Sequence, residues 1–314
     1  MKKHLISAAA LLALVACNNE DYTPADDPNT PMEIRMNSGI DIQTRANSVD
    51  VPDKQIAEGQ AVGVFINDAG NRDVVSANLK YNANGSGGLT LATDPAQGTP
   101  YYPATGNSVK IIAYHPYKDG AAITDNVYEF AVSTDQSTGG NYYASDLLYS
   151  ENKEYARQKT AHNLAFMHKL SKVECTLTPG SGSPDLTDAT VYIVNAKTNI
   201  TFKPADGTLS DLPNATTAEI KLNSAIATGS YIGIIPPQTY AKGSQFLKVV
   251  LSAVAGGGTF YYTIPNGGAD NDLALAGGNV YKYTITVNRT GLSVTSTIEP
   301  WGNGGTHSGD AEMP

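Results

Sequence analysis

Residues 161–178 read Ala161-His-Asn-Leu-Ala-Phe-Met-His-Lys-Leu-Ser-Lys-Val-Glu-Cys-Thr-Leu-Thr178 and stand near the middle of a 314-residue chain. Side chains suited to a core fall on alternate positions, and the alternation changes phase once, at Ser171-Lys172, in the series Phe166, His168, Leu170, Val173, Cys175, Leu177. Period-two alternation is typical of a half-buried strand, and one change of phase is typical of a bulge or of a crossing between strands. The stretch therefore predicts the joint between two β domains.

Strand-length segments and turn residues alternate on both sides of this joint. The predicted strands before it are Met32–Met36, Gln60–Ile66, Asn78–Tyr81, Leu89–Leu91, Val109–Tyr114 and Asn126–Val132. Those after it are Ala189–Val194, Ala218–Leu222, Tyr231–Ile235, Phe246–Ser252, Thr259–Ile264, Asn279–Asn288 and Leu292–Ile298. Short strands separated by Gly, Pro, Asn and Asp are typical of a sandwich or barrel. We predict an all-β chain with one domain over 32–165 and another over 166–314 that ends in a short Gly-rich tail; only Ser145–Tyr155 suggests a helical turn.

Charge and cysteine content exclude some classes of partner and crosslink. The formal net charge is -9 and the 21 Lys and Arg residues are scattered, whereas nucleic-acid binding needs a clustered basic surface. The two cysteines are Cys17 and Cys175, so the mature fold holds no internal disulfide if Cys17 is modified. Cys175 stands at an alternating apolar position and is predicted to be a small buried hydrophobe.

No catalytic or metal-binding pattern stands out. The histidines outside the leader lack metal-ligand spacing: His115, His162, His168 and His307. Carboxylates such as Asp206 and Asp211 lie within two residues of Gly or Pro, where they favour turns, and Asp270-Asn-Asp272 lacks the closing Glu of a calcium loop. Nucleophile elbows and phosphate loops are also missing from the sequence. We predict neither enzyme activity nor a cofactor or metal.

The N-terminus has the pattern of an export signal. Met1-Lys-Lys-His4 is basic, and Leu5–Val15 is an apolar run too short to span a bilayer as a helix. The segment Leu14-Val-Ala-Cys17 resembles the bacterial lipoprotein box, which implies a signal peptide over 1–16 and a lipid-modified Cys17. The alternative is an ordinary secretory signal with a chance cysteine. Residues 17–31 are acidic and contain three prolines, so we predict a disordered tether.

A second processing point is predicted between Arg45 and Ala46. The surrounding stretch Gln43–Ser48 is polar and carries no strand or helix pattern, and a trypsin-like protease needs an exposed, extended segment with Arg. The alternative is an exposed loop that happens to contain an arginine.

A family resemblance follows from the central stretch. Leu164-Ala-Phe166-x-His168-x-Leu170-Ser-Lys-Val173 resembles the central motif of the fimbrillin-like proteins, the type V pilus subunits of Bacteroidales. Further agreeing pieces occur in order along the chain: Ala61–Phe65, Tyr101–Pro103, Ile111–Tyr117, Ser145–Tyr149, Ile234–Thr239, Ala276–Val287 and Ile298–Trp301.

This resemblance implies two tandem transthyretin-like β-sandwich domains and a place in a cell-surface fimbrium that supports adhesion. It implies delivery to the outer membrane through the lipid, other pilus subunits as partners, and an arginine-specific or trypsin-like protease that cuts at a place corresponding to Arg45. The tail after Trp301 is short and, apart from Met313, lacks large apolar residues, which departs from stalk subunits. Stalk, tip and anchor roles therefore stay open.

The same cut predicts how subunits join. If Met32–Met36 pairs within the first domain, its removal leaves an unpaired strand edge beside an apolar groove, which is a template for another strand. We predict that a neighbouring subunit donates its C-terminal stretch from Leu292 to Trp301, or the tail beyond it. The donor candidates are Leu292, Val294, Ile298 and Trp301, although Ser296 interrupts the apolar alternation. Two rival functions are a surface glycan-binding lipoprotein and a secreted hydrolase, and the sequence offers the hydrolase no acid and base pair.

Overall fold

The computed structural model describes residues 30–40, 55–70, 74–94, 96–104, 108–121, 127–226, 229–266, 272–301 and 305–310. The strands in these ranges are β1 (Met36–Ile40), β2 (Ala61–Asp68), β3 (Val74–Ala83), β4 (Leu89–Leu91), β5 (Ser108–His115), β6 (Tyr128–Ala131), β7 (Leu148–Ala156), β8 (His162–His168), β9 (Ser171–Pro179), β10 (Thr190–Lys197), β11 (Asn199–Lys203), β12 (Thr208–Ser210), β13 (Thr217–Lys221), β14 (Tyr231–Ile235), β15 (Gln238–Tyr240), β16 (Gln245–Val250), β17 (Thr259–Thr263), β18 (Leu273–Leu275), β19 (Asn279–Asn288), β20 (Gly291–Pro300) and β21 (Gly305–Asp310). The one helix in the same ranges is α1 (Gly139–Ala144). The prediction of an all-β fold is confirmed.

The first sheet has the strand order β1-β8-β7-β5-β2-β3-β4. Its central strands read as continuous apolar runs because both of their faces are covered. In β2, Val62, Val64 and Ile66 enter one buried cluster, while Phe65 points the other way and enters a second cluster. The central strands of this sheet are therefore shared between two cores.

The second core is enclosed by one face of the first sheet and by four smaller sheets. Their strand orders are β14-β9-β19-β20-β21, β13-β10-β16-β17, β12-β11-β6 and β15-β18. Strand β6, from the first half of the chain, pairs antiparallel with β11 and carries Phe130 into the second core. Strands of both halves of the chain therefore build this core. The division of the chain at residue 165 stays a prediction.

The predicted change of phase has a structural counterpart, while the joint between two domains stays a prediction. Strand β8 ends at His168 in the first sheet and β9 begins at Ser171 in the five-stranded sheet, so the change of phase marks a passage between sheets. Strand β19 also follows the predicted alternation, with Tyr281, Tyr283, Ile285 and Val287 buried on one face.

Two local predictions were wrong. The first strand is Met36–Ile40 rather than Met32–Met36, because the inward alternation continues through Ser38 and Ile40. The Ser145–Tyr155 segment is mostly strand β7, and the helix α1 lies before it, capped by the Thr138 hydroxyl. The Gly-rich tail also contains a strand, β21, whose backbone pairs antiparallel with β20.

Candidate functional site: the closing strand and the C-terminal strand

The closing segment, residues 32–40, lies between strand β8 and the 87–102 stretch and bonds to both of them. On one side β1 runs parallel to β8, with Met36 opposite His162 and Ile40 opposite Phe166. On the other side the segment bonds to the 87–102 stretch through three backbone hydrogen bonds: Ile34 N–H to the Pro100 carbonyl at 2.9 Å, Tyr102 N–H to the Met32 carbonyl at 2.9 Å, and Ser38 N–H to the Gly87 carbonyl at 2.7 Å. Removing this segment would expose two strand edges at once.

The inward side chains of this segment are anchored in the first core. Ile34, Met36 and Ile40 are 1%, 2% and 8% exposed, and they share one buried cluster with Leu164 and other residues. Full burial of side chains of this size stabilises by roughly 1.5–3 kcal/mol each. Ser38 is the fourth inward residue, 5% exposed, and its hydroxyl lies 3.4 Å from the Gly87 carbonyl oxygen.

Strand β8 depends on β1 for most of its pairing. Residues 162–166 pair with β1, whereas β7 pairs with β8 only where Leu148 meets His168 and Tyr149 meets Met167. Without β1, the first five residues of β8 would keep no strand partner among the described elements. Unpaired N–H and C=O groups of that kind recruit another strand.

A basic and aromatic cluster surrounds the start of the closing segment. The Arg157 guanidinium donates to the Thr30 carbonyl at 2.9 Å and lies 5.7 Å from the Tyr102 ring centroid. The Tyr102 hydroxyl bonds His162 Nε2, and burial lowers the pKa of the His162 imidazole. A cleft of about 400 Å³ opens here, lined by Thr30, Pro31, Met32, Glu33, Arg35, Tyr101 and Lys159.

The four candidate donor residues lie in the second core of their own chain. Strand β20 pairs with β19 from Gly291 to Pro300 and with β21 on its other edge. Leu292, Val294 and Trp301 are 2%, 1% and 7% exposed, and Ile298 is half-buried against the same core. Their role as donors stays a prediction.

Trp301 fastens the end of β20 to the joint between the two parts of the chain. Its ring stacks on the His168 ring with centroids 3.6 Å apart and planes at 6°, and its backbone N–H donates to the Gly278 carbonyl. His168 Nδ1 in turn lies 2.9 Å from Asp146 Oδ1, while His168 Nε2 has no hydrogen-bond partner among the described residues. Sequence reasoning placed His168 in the inward alternation and found no metal-ligand spacing around it, but it missed this stack.

A family model described as fimbrillin-like matches residues 44–301. The chain belongs to the fimbrillin-like family. A Bacteroides uniformis protein named "Putative fimbrium subunit Fim1C" is 29% identical over 99% of this fimbrillin-like chain and 100% of its own length. The match confirms the resemblance drawn from the central motif.

Solved structures agree with this assignment. A Bacteroides uniformis crystal structure described as "a putative cell adhesion protein" has a TM-score of 0.60 and 25% identity, and the alignment covers 86% of the fimbrillin-like chain and 99% of that structure. A Bacteroides ovatus structure with the same description has a TM-score of 0.66 at 17% identity, covering 87% and 98%, and supports the fold alone.

Among the described residues of the fimbrillin-like chain, the remaining candidates do not come together as a chemical site. Cys175 is fully buried, and burial raises the pKa of its thiol, which favours the inert protonated form. Within the described ranges, no group of three or more His, Cys, Asp and Glu side chains is placed to hold a metal ion. Across those same residues, no helix has the length and apolar character that a membrane crossing requires. Cys17, Arg45 and Ala46 lie outside the described residues.

Proposed function

We propose that this fimbrillin-like pilus subunit is exported as a lipoprotein through Cys17, cut between Arg45 and Ala46, and joined to a neighbour by replacement of β1. Before the cut the lipid would hold the chain at the outer membrane, and after it the subunit would enter a surface fimbrium that supports adhesion. The partners are other pilus subunits and an arginine-specific or trypsin-like protease.

The observation that carries this proposal is the position of β1. It is the only described strand that pairs with residues 162–166, it bonds a second edge at 87–102, and it lies next in sequence to the proposed cut. Cleavage after Arg45 would separate residues 17–45 from the rest of the chain. Strand β1 would then be held only by non-covalent contacts, so another strand could replace it. Strand addition to an open edge gains affinity from main-chain bonds and specificity from alternate side-chain pockets.

Lipid attachment at Cys17 and cleavage at Arg45 are tested in cells of a Bacteroides host that express tagged variants. The unmodified chain should incorporate labelled palmitate, and the filament form should begin at Ala46 on N-terminal sequencing. Cys17→Ala should lose the label, since a diacylated cysteine is the anchor. Arg45→Gln should accumulate as a longer, membrane-held form outside filaments. A filament form that begins at Cys17, or a Cys17→Ala chain that still carries palmitate, would contradict the proposal.

A further inference from the structure

The vacated groove specifies the strand that fills it. We propose that it accepts a strand of a different subunit, running parallel to β8, with three large apolar residues at the places of Ile34, Met36 and Ile40 and a small residue at the place of Ser38. This inference rests on the proposed function and adds the direction, pattern and source of the incoming strand.

The requirement for a small residue comes from the surroundings of Ser38. Its side chain is buried between Met36 and Ile40 on the inward face, with its hydroxyl near the Gly87 carbonyl. The two backbones approach closely here, since a Cβ built on Gly87 would lie 3.0 Å from the Ser38 carbonyl oxygen. A long side chain at this place would displace packed neighbours, and overpacking of a dense core is destabilising.

The incoming strand takes the direction of β1, which runs parallel to β8, and its register follows from the backbone bonds that the groove retains. His162 N–H now donates to the Arg35 carbonyl at 2.8 Å and Tyr102 N–H to the Met32 carbonyl, so a new strand must offer carbonyls at both places. The Gly87 and Pro100 carbonyls must receive N–H groups. A slip by one residue would turn every apolar side chain outward, and a slip by two would bring a large side chain to the place of Ser38, so the pattern is met in one register only.

The chain carries a second segment with this pattern. In β20, Leu292, Val294, Ser296 and Ile298 alternate as Ile34, Met36, Ser38 and Ile40 do, with serine at the same third place. The serine that interrupts the apolar alternation of β20 therefore corresponds to the small residue that the groove holds.

A second copy's β20 is nevertheless firmly held where it is. It pairs with β19 along its whole length and with β21 on the other edge, and it is fastened by the Trp301 stack. Leaving would uncover Leu292, Val294 and Trp301, while the groove offers strand pairing over Met36–Ile40 and three backbone bonds to the 87–102 stretch. The exchange would lose more main-chain pairing than it gains, so the occupant is a strand of the same pattern from another subunit.

The test uses the full chain with residues 43–48 replaced by a site-specific protease sequence. After cutting, the N-terminal fragment is removed in mild denaturant, and binding of labelled synthetic peptides is measured. The probes are the peptide of residues 30–41, the β20 peptide of residues 290–300, and their Ser38→Leu and Ser296→Leu variants. An Arg35→Leu peptide is the matched control, because Arg35 points outward and is exposed. If the emptied body does not stay folded, the peptides are added to the cut complex and displacement of its own strand is followed.

We expect the two parent peptides to bind within about tenfold of each other, the two Leu variants at least tenfold more weakly, and the Arg35→Leu control like its parent. Equal binding of the Ser38→Leu peptide would overturn the pattern while leaving strand replacement intact. Polymers formed by the emptied chain alone would show that a second copy fills the groove, which would overturn the proposal that the occupant comes from a different subunit. Failure of every peptide to bind or displace would instead refute the proposed function itself.

Discussion

The substitution Val294→Asp tests whether β20 is a core strand of its own chain or serves only as a donor strand. Val294 is almost fully buried, and its loss removes roughly 1.5–3 kcal/mol of apolar burial. An unpaired buried carboxylate adds an effective penalty of several kcal/mol. The sum is comparable to the whole stability of a typical domain, about 5–15 kcal/mol. We therefore expect Val294→Asp to unfold the second core of the uncut monomer.

The matched control is Thr295→Asp, one residue along the same strand on the exposed face. It adds the same charge and should change the free energy of unfolding by less than about 0.5 kcal/mol. Trp301 is the only tryptophan of the chain and lies in the second core, so its emission during urea unfolding reports on this region directly. A Val294→Asp monomer with an unchanged urea midpoint would refute the assignment of β20 as a core strand.

Three further predictions concern Met36 in β1 and the two histidines of β8, His162 and His168. Met36→Ala should destabilise the first core by about 2–5 kcal/mol and speed hydrogen exchange at the β8 amides, whereas Arg35→Ala should do neither; equal effects would contradict the inward assignment. His168→Ala should shift the Trp301 emission to longer wavelength, and an unchanged spectrum would show that the ring stack does not shield the indole. Because burial lowers the folded-state pKa of His162, the unfolded state binds more protons below the ordinary value of about 6.5, so stability should fall as the pH drops below that value. His162→Gln should weaken this dependence of the free energy of unfolding on pH, measured by urea titrations at several pH values. An unchanged dependence would place the titrating group elsewhere.

The groove and the C-terminal strand are connected through one strand. Residues 162–166 of β8 pair with β1, and His168 at its end holds Trp301 after β20. The central stretch singled out by its alternation thus contributes both to the groove and to the contact that holds β20 in its own chain. Its position explains why a histidine at an inward place is tolerated, since Asp146 bonds one ring nitrogen and the indole covers the ring face.

The sequence by itself determined the elements whose signal is local. The apolar run of β2, the alternation of β19 and the change of phase at Ser171 predicted strands and the joint, because the side-chain period of a strand is two whatever its partner. The family could also be inferred from ordered motifs. Burial of Cys175 followed from its place in the alternation and was confirmed.

Only the tertiary structure decided which strands meet. The parallel pairing of β1 with β8 joins residues more than a hundred positions apart, and β6 crosses to pair with β11, so neither follows from a local pattern. The same holds for Ser38, which lies outside the predicted first strand Met32–Met36 but pairs with β8 on one side and bonds to Gly87 on the other. Tertiary contacts override local propensity in such segments because main-chain bonds and burial on both sides outweigh the weak preference of Ser and Gly for turns.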